Sequence, residues 1–299
     1  EFDTIAGIAS GMGGGIGIIR ISGPEALKAA GAIFRTKKYL KDSKKEWDQA
    51  YFEKKETHTI HYGMIVNEDG SMLDEVMVLL MKAPRSYTCE DVVEIDSHGG
   101  PFLVQKILKR ILHQGVRLAE PGEFTKRAFL NGRIDLAQAE AVMKMISSKG
   151  EFALESATKQ LEGRVSGYIE EIRQEILHNM GYIEAALDDP EHYELDGFSE
   201  KLHEMLQKEC NRLQELLDNF ENGRMKSEGI NTVIVGQPNA GKSSLMNLLL
   251  DEERAIVTNI AGTTRDILEE TVHIGNIVLN LVDTAGIHDT EDIVEHMGV

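Results

Sequence analysis

The sequence predicts a multidomain α/β plus α protein. It divides into an α+β N-terminal domain over 1–118, an all-α helical domain over 119–225, and an incomplete P-loop α/β domain over 229–299. Three observations carry this reading. Short apolar runs bounded by turn residues fill the first part, with one clear helical stripe near its end. From about residue 119 the apolar spacing changes to three and four. Later, the strand-like run Ile230-Asn231-Thr232-Val233-Ile234-Val235 leads into Gly236-Gln237-Pro238-Asn239-Ala240-Gly241-Lys242-Ser243, and a helical run, Ser244-Leu245-Met246-Asn247-Leu248-Leu249-Leu250, leads out.

In the first domain, Gly11, Gly13, Gly14, Gly15 and Gly17 crowd the start, and Ile16-Gly17-Ile18-Ile19-Arg20-Ile21 follows as a strand. No G-x-G-x-x-G register fits and a strand comes next, so this is no dinucleotide fingerprint. The glycines suit a tight loop or close backbone packing. Arg20 in that strand reads as a surface ion pair. Residues 37–55 are charged, hold the only Trp, Trp47, and read as an exposed connection. Residues 58–66 and 75–81 read as strands, as does Glu90-Asp91-Val92-Val93-Glu94-Ile95-Asp96, whose carboxylates read as a solvated strand face. His98-Gly99-Gly100-Pro101 turns into a helix striped by Val104, Ile107, Leu108, Ile111 and Leu112. His98 has no second metal ligand at a usable spacing and reads as a turn or capping residue. Lys106, Lys109, Arg110 and Arg117 form a small basic cluster, read as a solvated face with an RNA contact as the alternative.

In the second domain, residues 124–130 form a short helix ended by Asn131-Gly132. Asp135 caps a helix that runs through Ala139, Val142 and Ile146 to Gly150. A long helix carries Leu161, Val165, Tyr168, Ile172, Ile176, Met180, Ile183 and Leu187 and stops at Asp188-Asp189-Pro190. A further helix has Leu202, Leu206, Cys210, Leu213, Leu217 and Phe220 on one stripe, which makes Cys210 a core residue. Packing of both long helices in one domain is simpler than two free coiled coils.

The third domain carries the phosphate chemistry. Glycines at 236 and 241 let backbone N–H groups close around phosphate oxygens at a helix N-terminus. Lys242 reaches the β/γ-phosphates, and the Ser243 hydroxyl holds Mg²⁺. Ile277-Val278-Leu279-Asn280-Leu281-Val282 is a second apolar strand ending on Asp283-Thr284-Ala285-Gly286. There an Asp can hold the metal from its second shell and a Gly N–H can approach the γ-phosphate. Between the two motifs, Ala261-Gly262-Thr263-Thr264-Arg265-Asp266 offers hydroxyls that could close over the metal.

Fifty acidic against 32 basic residues give a formal net charge of −18 over 299 residues. That balance counts against a nonspecific nucleic-acid or membrane-surface binder, though not against a local basic patch. Cys89 and Cys210 form no metal spacing or disulfide framework, which fits a reducing cytoplasm. No apolar run approaches membrane-spanning length. The opening Glu1-Phe2 without Met, the short run from Gly229 to Val299 and the lack of an Asn-Lys-x-Asp guanine-reading motif lead us to expect a truncated chain.

The three nucleotide segments are similar to the first three motifs of translation-factor-class GTPases. Ile287 stands where Ras-type proteins carry a water-orienting Gln. Two further segments, Gly14-Gly15-Ile16-Gly17-Ile18-Ile19-Arg20-Ile21-Ser22-Gly23 and Pro121-Gly122-Glu123-Phe124-Thr125-Lys126-Arg127-Ala128-Phe129-Leu130-Asn131-Gly132-Arg133, are far more specific. With them, essentially the whole chain resembles the MnmE/TrmE family, the tRNA wobble-uridine modification GTPases.

The resemblance implies a folate-binding, dimer-forming first domain and a GTPase domain inserted within the helical one. It implies a homodimer, tRNA, and a heterotetramer with an FAD-dependent flavoprotein of the MnmG/GidA type. With that partner the family installs an aminomethyl-type or carboxymethylaminomethyl group on carbon-5 of the wobble uridine. The implied cofactors are GTP, Mg²⁺, K⁺ and 5-formyl- or 5,10-methylene-tetrahydrofolate. By motif position the folate contacts fall on Arg20, Glu94 and Arg133, the last commonly Lys in relatives. The GTP contacts fall on Asn239, Ala240, Gly241, Lys242, Ser243 and Ser244, on Thr258, Asn259, Ile260, Ala261, Gly262 and Thr263, and on Asp283, Thr284, Ala285 and Gly286. Ser243 and Thr264 would hold Mg²⁺, while Asn239, Thr258, Ile260 and Thr263 would surround K⁺. Glu295 matches the acid that orients the attacking water. Two other function classes remain as alternatives: a regulatory GTPase without RNA chemistry, and a folate-dependent one-carbon transferase with an appended switch.

Overall fold

The computed structural model describes residues 3–11, 13–41, 46–193, 195–218, 228–235, 241, 244–245, 248, 269–275 and 277–282. Contacts divide the chain into two compact units, Glu1–Ala139 and Glu140–Val299.

The first unit is built on one sheet. Its strands are β1 (Ile5–Ile8), β2 (Ile16–Ser22), β3 (Phe34–Arg35), β4 (Thr59–Val66), β5 (Met72–Met81), β6 (Val92–His98) and β7 (Arg117–Leu118). The spatial order is β3-β4-β5-β6-β2-β1-β7. Every neighbouring pair is antiparallel except β1 with β7. The period-two alternation of a strand then sorts the side chains onto two faces. Ile19, Ile21, Val78, Leu80, Val93 and Ile95 form one buried core with Ala26, Ala30 and Ile33 of α1 (Ala26–Ile33) and Val104, Ile107 and Ile111 of α3 (Pro101–Leu112). The opposite face leaves Ile16, Ile60, Tyr62 and Met77 exposed and carries Arg20, Glu94 and Asp96 among them.

Of the glycine-rich start, Gly17 serves close packing, since a Cβ there would lie 2.3 Å from Val104 Cγ2, whereas one on Gly11, Gly13 or Gly15 would meet nothing within 4 Å. A Cβ on Gly99 would lie 2.1 Å from the Gly14 carbonyl oxygen, and the Gly99 N–H donates to Gly15 O at 3.1 Å.

The segment read as an exposed connection is in part core. After the short helix α2 (Lys37–Lys41), Phe52 is wholly buried 4.9 Å from the Phe34 ring, and Trp47 donates its indole N–H to Gly31 O at 2.7 Å. Aromatic surface offsets the charge of the segment, because the large rings gain more by burial than the interspersed lysines lose by staying at the rim.

The 90–96 acids are not a solvated face either. Glu90 and Glu94 side chains are only 12% and 17% exposed. His98 caps nothing: the α3 N-cap is Gly100. Its Nδ1 lies 2.7 Å from Oδ1 of the buried Asp74, and its backbone N–H donates to the other oxygen of Asp74 at 3.0 Å.

Helix α4 (Glu123–Leu130) ends at Asn131-Gly132 as expected, with Gly132 at φ 73°. Asp135 accepts from the Gln138 N–H at 2.8 Å and so caps α5 (Leu136–Ser147). Gly150 then N-caps a separate helix, α6 (Glu151–Leu161); the apolar spacing marks no element over 151–160 and counts Leu161 in the long helix that follows. In the second unit follow α7 (Arg164–Asp188) and α8 (Phe198–Asp218), and Tyr182 of α7 stacks on Phe198 of α8 with ring centroids 5.0 Å apart. Cys210 is exposed rather than core, as are Leu206 and Leu217 of the same stripe. The buried residue of α8 is Glu209, paired with Arg212 at 3.0 Å. Strands β8 (Ile230–Val233), β9 (Glu269–Ile274) and β10 (Ile277–Val282) form a second sheet in the order β8-β10-β9. The pairing is parallel between β8 and β10 and antiparallel between β9 and β10. Among the described residues no helix is long and apolar enough to cross a membrane.

Candidate functional site

The antiparallel register of β2 and β6 sets Arg20 opposite Glu94 and Ile18 opposite Asp96. Arg20 Nε donates to Glu94 Oε1 at 2.7 Å, with both side chains only partly exposed. The Arg20 guanidinium also lies 4.8 Å from the Tyr87 ring centroid and 5.4 Å from that of Phe124, within reach of a cation–π attraction. Arg133 reaches the same ring from another part of the chain. Its guanidinium lies 4.9 Å from the Tyr87 centroid and donates to the Tyr87 carbonyl at 3.2 Å. Of the three residues expected from the sequence to share a ligand, Arg20 and Arg133 therefore lie on one aromatic ring, and Glu94 is tied to them through Arg20. Tyr87 and Phe124 went unnoticed in the sequence. Phe124 sits inside the distinctive 121–133 segment, but nothing in the pattern marks Tyr87, which lies in an irregular stretch between β5 and β6.

A partly buried ionic network holds this cluster in place. Arg127, 2% exposed, donates to Asp3 Oδ1 at 2.9 Å, to both Glu90 oxygens at 3.2 Å and to Glu123 Oε1 at 3.1 Å. Arg117 donates to Asp3 at 2.6 Å and to Glu123 at 2.6 Å. Arg117 thus joins this network while its side chain stays 43% exposed, in keeping with a solvated surface position. Hydrogen bonds from Arg117 hold the Asp3 and Glu123 carboxyls each down to about 2. One face of α4 is consumed by these pairs. The adjacent residues Phe124 and Thr125 are left facing Arg20 and Tyr87, and Thr125 Oγ1 lies 2.9 Å from the Tyr87 hydroxyl. A Cβ on Gly7 would meet Ala119 at 3.3 Å and Phe124 at 3.4 Å, so the small residue in β1 lets the Phe124 ring lie close. Asn131 completes the clamp by donating to Thr88 O at 2.6 Å.

Asp96 shares the open face with Glu94, two residues along the same strand. Burial, and secondarily the nearby Glu94 charge, push its carboxyl above the ordinary range. Its Oδ1 is shut off from solvent and makes no hydrogen bond.

The nucleotide motifs are only framed. The register of β8 with β10 aligns Val233 with Val282, so the segments that begin at Gly236 and Asp283 leave from the same edge of the sheet. Gly241 has φ 87°, and its carbonyl accepts from the Leu245 N–H at 2.9 Å, the start of a helical turn. Gly241 and Ser244 are described. Asn239, Ala240, Lys242, Ser243, Thr258, Asn259, Ile260, Ala261, Gly262, Thr263, Thr264, Asp283, Thr284, Ala285, Gly286 and Glu295 lie outside the described residues. Among the described residues no three His, Cys, Asp or Glu side chains are grouped to hold a metal ion.

Comparison with known proteins agrees with both halves of the chain. Residues 4–133 match the family model described as GTP-binding protein TrmE N-terminus, and residues 136–297 match the MnmE helical domain. A protein of Lachnoclostridium phytofermentans named tRNA modification GTPase MnmE is 54% identical over 298 residues, covering 99% of this chain and 63% of that relative. Relatives of the same name from Listeria welshimeri and Bacillus cytotoxicus are 50% and 48% identical over 303 and 305 residues, each match covering 100% of this chain and 63% of the relative. The chain thus spans about 63% of the length of the curated relatives it matches. With one family model over its first unit and another over more than half its length, the chain belongs to the MnmE/TrmE family.

Proposed function

We propose that this chain is the larger part of a GTP-hydrolysing tRNA modification enzyme whose first domain binds a reduced one-carbon folate, either 5-formyl- or 5,10-methylene-tetrahydrofolate. The observation that carries the folate reading is that Arg20, paired with Glu94, and Arg133 both lie on the Tyr87 ring. The donor set suits such a ligand. A carboxylate can accept from the N–H groups of a pterin ring, guanidinium groups can pair its carboxylate tail, and Tyr87 and Phe124 offer flat apolar surface. Bound folate supplies the one-carbon unit; the residues here bind and orient it.

Titration calorimetry with 5-formyltetrahydrofolate tests the reading. Glu94→Ala and Arg133→Ala should each weaken binding about tenfold or more. An unchanged affinity in Glu94→Ala removes that residue from the site.

The exposed apolar residues of the open sheet face, Ile16, Ile60, Tyr62 and Met77, support a homodimer formed through the first domain. The domain assignments 1–118, 119–225 and 229–299 belong to the same proposal, as do a flavoprotein partner of the MnmG/GidA type, tRNA as substrate and modification at carbon-5 of the wobble uridine. The relatives' name supports tRNA as the substrate.

For the nucleotide, the shared exit edge of β8 and β10 supports a phosphate site built from Gly236–Ser243 and Asp283–Gly286. Ser243 and Thr264 would hold Mg²⁺. Asn239, Thr258, Ile260 and Thr263 would hold K⁺, and Glu295 would orient water. Hydrolysis by the full-length protein should then be faster in KCl than in NaCl at equal ionic strength, and Asn239→Ala should abolish the difference. Equal rates in both salts for the unaltered protein end the potassium reading.

A further inference from the structure

The strand register lays Gly7, Arg20 and Glu94 in one row across the first sheet. Gly7 of β1 stands opposite Arg20 of β2, and Arg20 stands opposite Glu94 of β6. Directly opposed residues share a face of the sheet, with their Cβ positions about 5 Å apart. Glu94 thus occupies one side of Arg20 and accepts from its Nε at 2.7 Å. On the other side the glycine leaves a slot, and Phe124 of α4 fills it. A Cβ on Gly7 would lie 3.4 Å from Cε2 of that ring and 3.8 Å from Cζ. The ring centroid is 5.4 Å from the Arg20 guanidinium. Glu123, the residue before Phe124, is gripped by both Arg117 and Arg127, which restrains the backbone that carries the ring.

We infer that Gly7 and Phe124 are positioning residues for the ligand of this site: the bare backbone at Gly7 admits the ring, and the ring fixes the guanidinium plane of Arg20. The inference rests on the folate reading and deepens it. An arginine side chain is long and flexible, and a single hydrogen bond through Nε leaves its plane free to turn. The Tyr87 and Phe124 rings, both within cation–π reach, remove that freedom. The flat fork of N–H donors is then presented in one orientation. Arg20 keeps 23% of its side chain exposed, so a ligand can reach it. Fixing the plane in advance spares part of the ordering cost that binding otherwise carries. A side chain at position 7 would crowd the ring out of the slot. It has little room to turn aside, because Ala119 Cβ stands 3.3 Å from the same point.

The test uses the whole chain, titrated with 5-formyltetrahydrofolate. Gly7→Val and Gly7→Ala fill the slot to different extents, and valine suits a strand. Phe124→Leu removes the ring, while Phe124→Tyr keeps it. Binding should weaken about threefold to tenfold in Phe124→Leu and in Gly7→Val, less in Gly7→Ala, and stay near the parent's in Phe124→Tyr. Gly7→Val should cost little more in a chain that already carries Phe124→Leu, because the slot then holds no ring. The Nε–H NMR resonance of Arg20, identified by its absence in Arg20→Lys, should shift in Phe124→Leu and Gly7→Val before any ligand is added. A general structural role would not single out that resonance. The positioning role is overturned, and the folate reading stands, if both Gly7 variants bind as the parent does or if the losses multiply in the double variant. It is overturned equally if the resonance stays in place while binding falls. If the unaltered chain does not bind 5-formyltetrahydrofolate, the folate reading itself fails and the positioning role falls with it. Circular dichroism on each variant separates loss of binding from loss of fold, and Gly7→Ala carries the comparison if Gly7→Val does not fold.

Discussion

Arg133 lies with its guanidinium 4.9 Å from the ring centroid of Tyr87, a residue 46 positions earlier in the chain. The same ring also receives Arg20 at 4.8 Å. Two like charges are thereby fixed on one site without a carboxylate between Arg133 and the ring. Tyr87→Leu should remove the ring that both guanidinium groups share, leaving Arg20 held only by Glu94 and Phe124 and Arg133 only by the backbone carbonyl, and weaken 5-formyltetrahydrofolate binding about tenfold, from the loss of two cation–π contacts. Tyr87→Phe keeps the ring and loses only the contact with Thr125, so it should bind nearly as the parent does. Equal losses in the two variants would show that the hydroxyl, not the ring, is what matters.

The network beneath the site predicts a pH dependence of stability. The Glu123 carboxyl sits at about 2 against an ordinary 4.5, with Arg117 as the first cause. A carboxyl depressed in the folded state stabilises fully above its ordinary range, and that contribution is lost as pH falls toward the folded value. Thermal midpoints should therefore drop between about pH 5 and pH 2. Glu123→Gln should cost about 3 kcal/mol at neutral pH, because it leaves buried Arg127 short of a partner. It should also flatten the acid limb. A variant with the parent's stability at pH 7 would remove the network from the fold's support.

Much of this was legible in the sequence. Strands β2, β8 and β10 and helices α3, α4 and α7 follow from periodicity, from Gly132 and from the Asp188-Asp189-Pro190 stop. Arg20, Glu94 and Arg133 were reachable through the resemblance, and the fold brings them together. The rest depended on long-range partners that spacing cannot express. Arg117 read as a surface charge, which it is, but its pairing with Asp3, 114 positions away, lies beyond what spacing can express. The aromatic packing of Trp47 and Phe52 onto Phe34 was hidden by the lysines around it. Asp96 read as one more acid on a solvated strand, since nothing in the sequence tells which carboxylate has a cation and which has none.

Gly99 tests the packing at the head of the sheet. A methyl group there meets the Gly14 carbonyl oxygen at 2.1 Å and its carbon at 2.8 Å, both backbone atoms with no rotamer to give way. Gly99→Ala should displace the segment around Gly14 and cost about 1–3 kcal/mol, the range for overpacking. Hydrogen exchange at the Gly99 amide, which donates to Gly15 O, should accelerate in the variant. Unchanged protection at that amide would mean that the two chains can separate without loss.

The last prediction concerns the stability cost of one buried carboxylate oxygen. Burial and the neighbouring Glu94 charge raise the Asp96 carboxyl above its ordinary range. A carboxyl raised in the folded state binds protons more readily there than in the unfolded chain, so folding is favoured as pH falls toward the ordinary value and disfavoured above it. Arg20 is the facing cation, and it is already engaged by Glu94 at 2.7 Å. Asp96→Asn removes the charge and should raise the thermal midpoint at pH 7, with the gain shrinking as pH falls toward 4 (roughly the ordinary aspartate value). A variant that loses stability at pH 7 would instead make Asp96 an acid that the fold needs in its charged form.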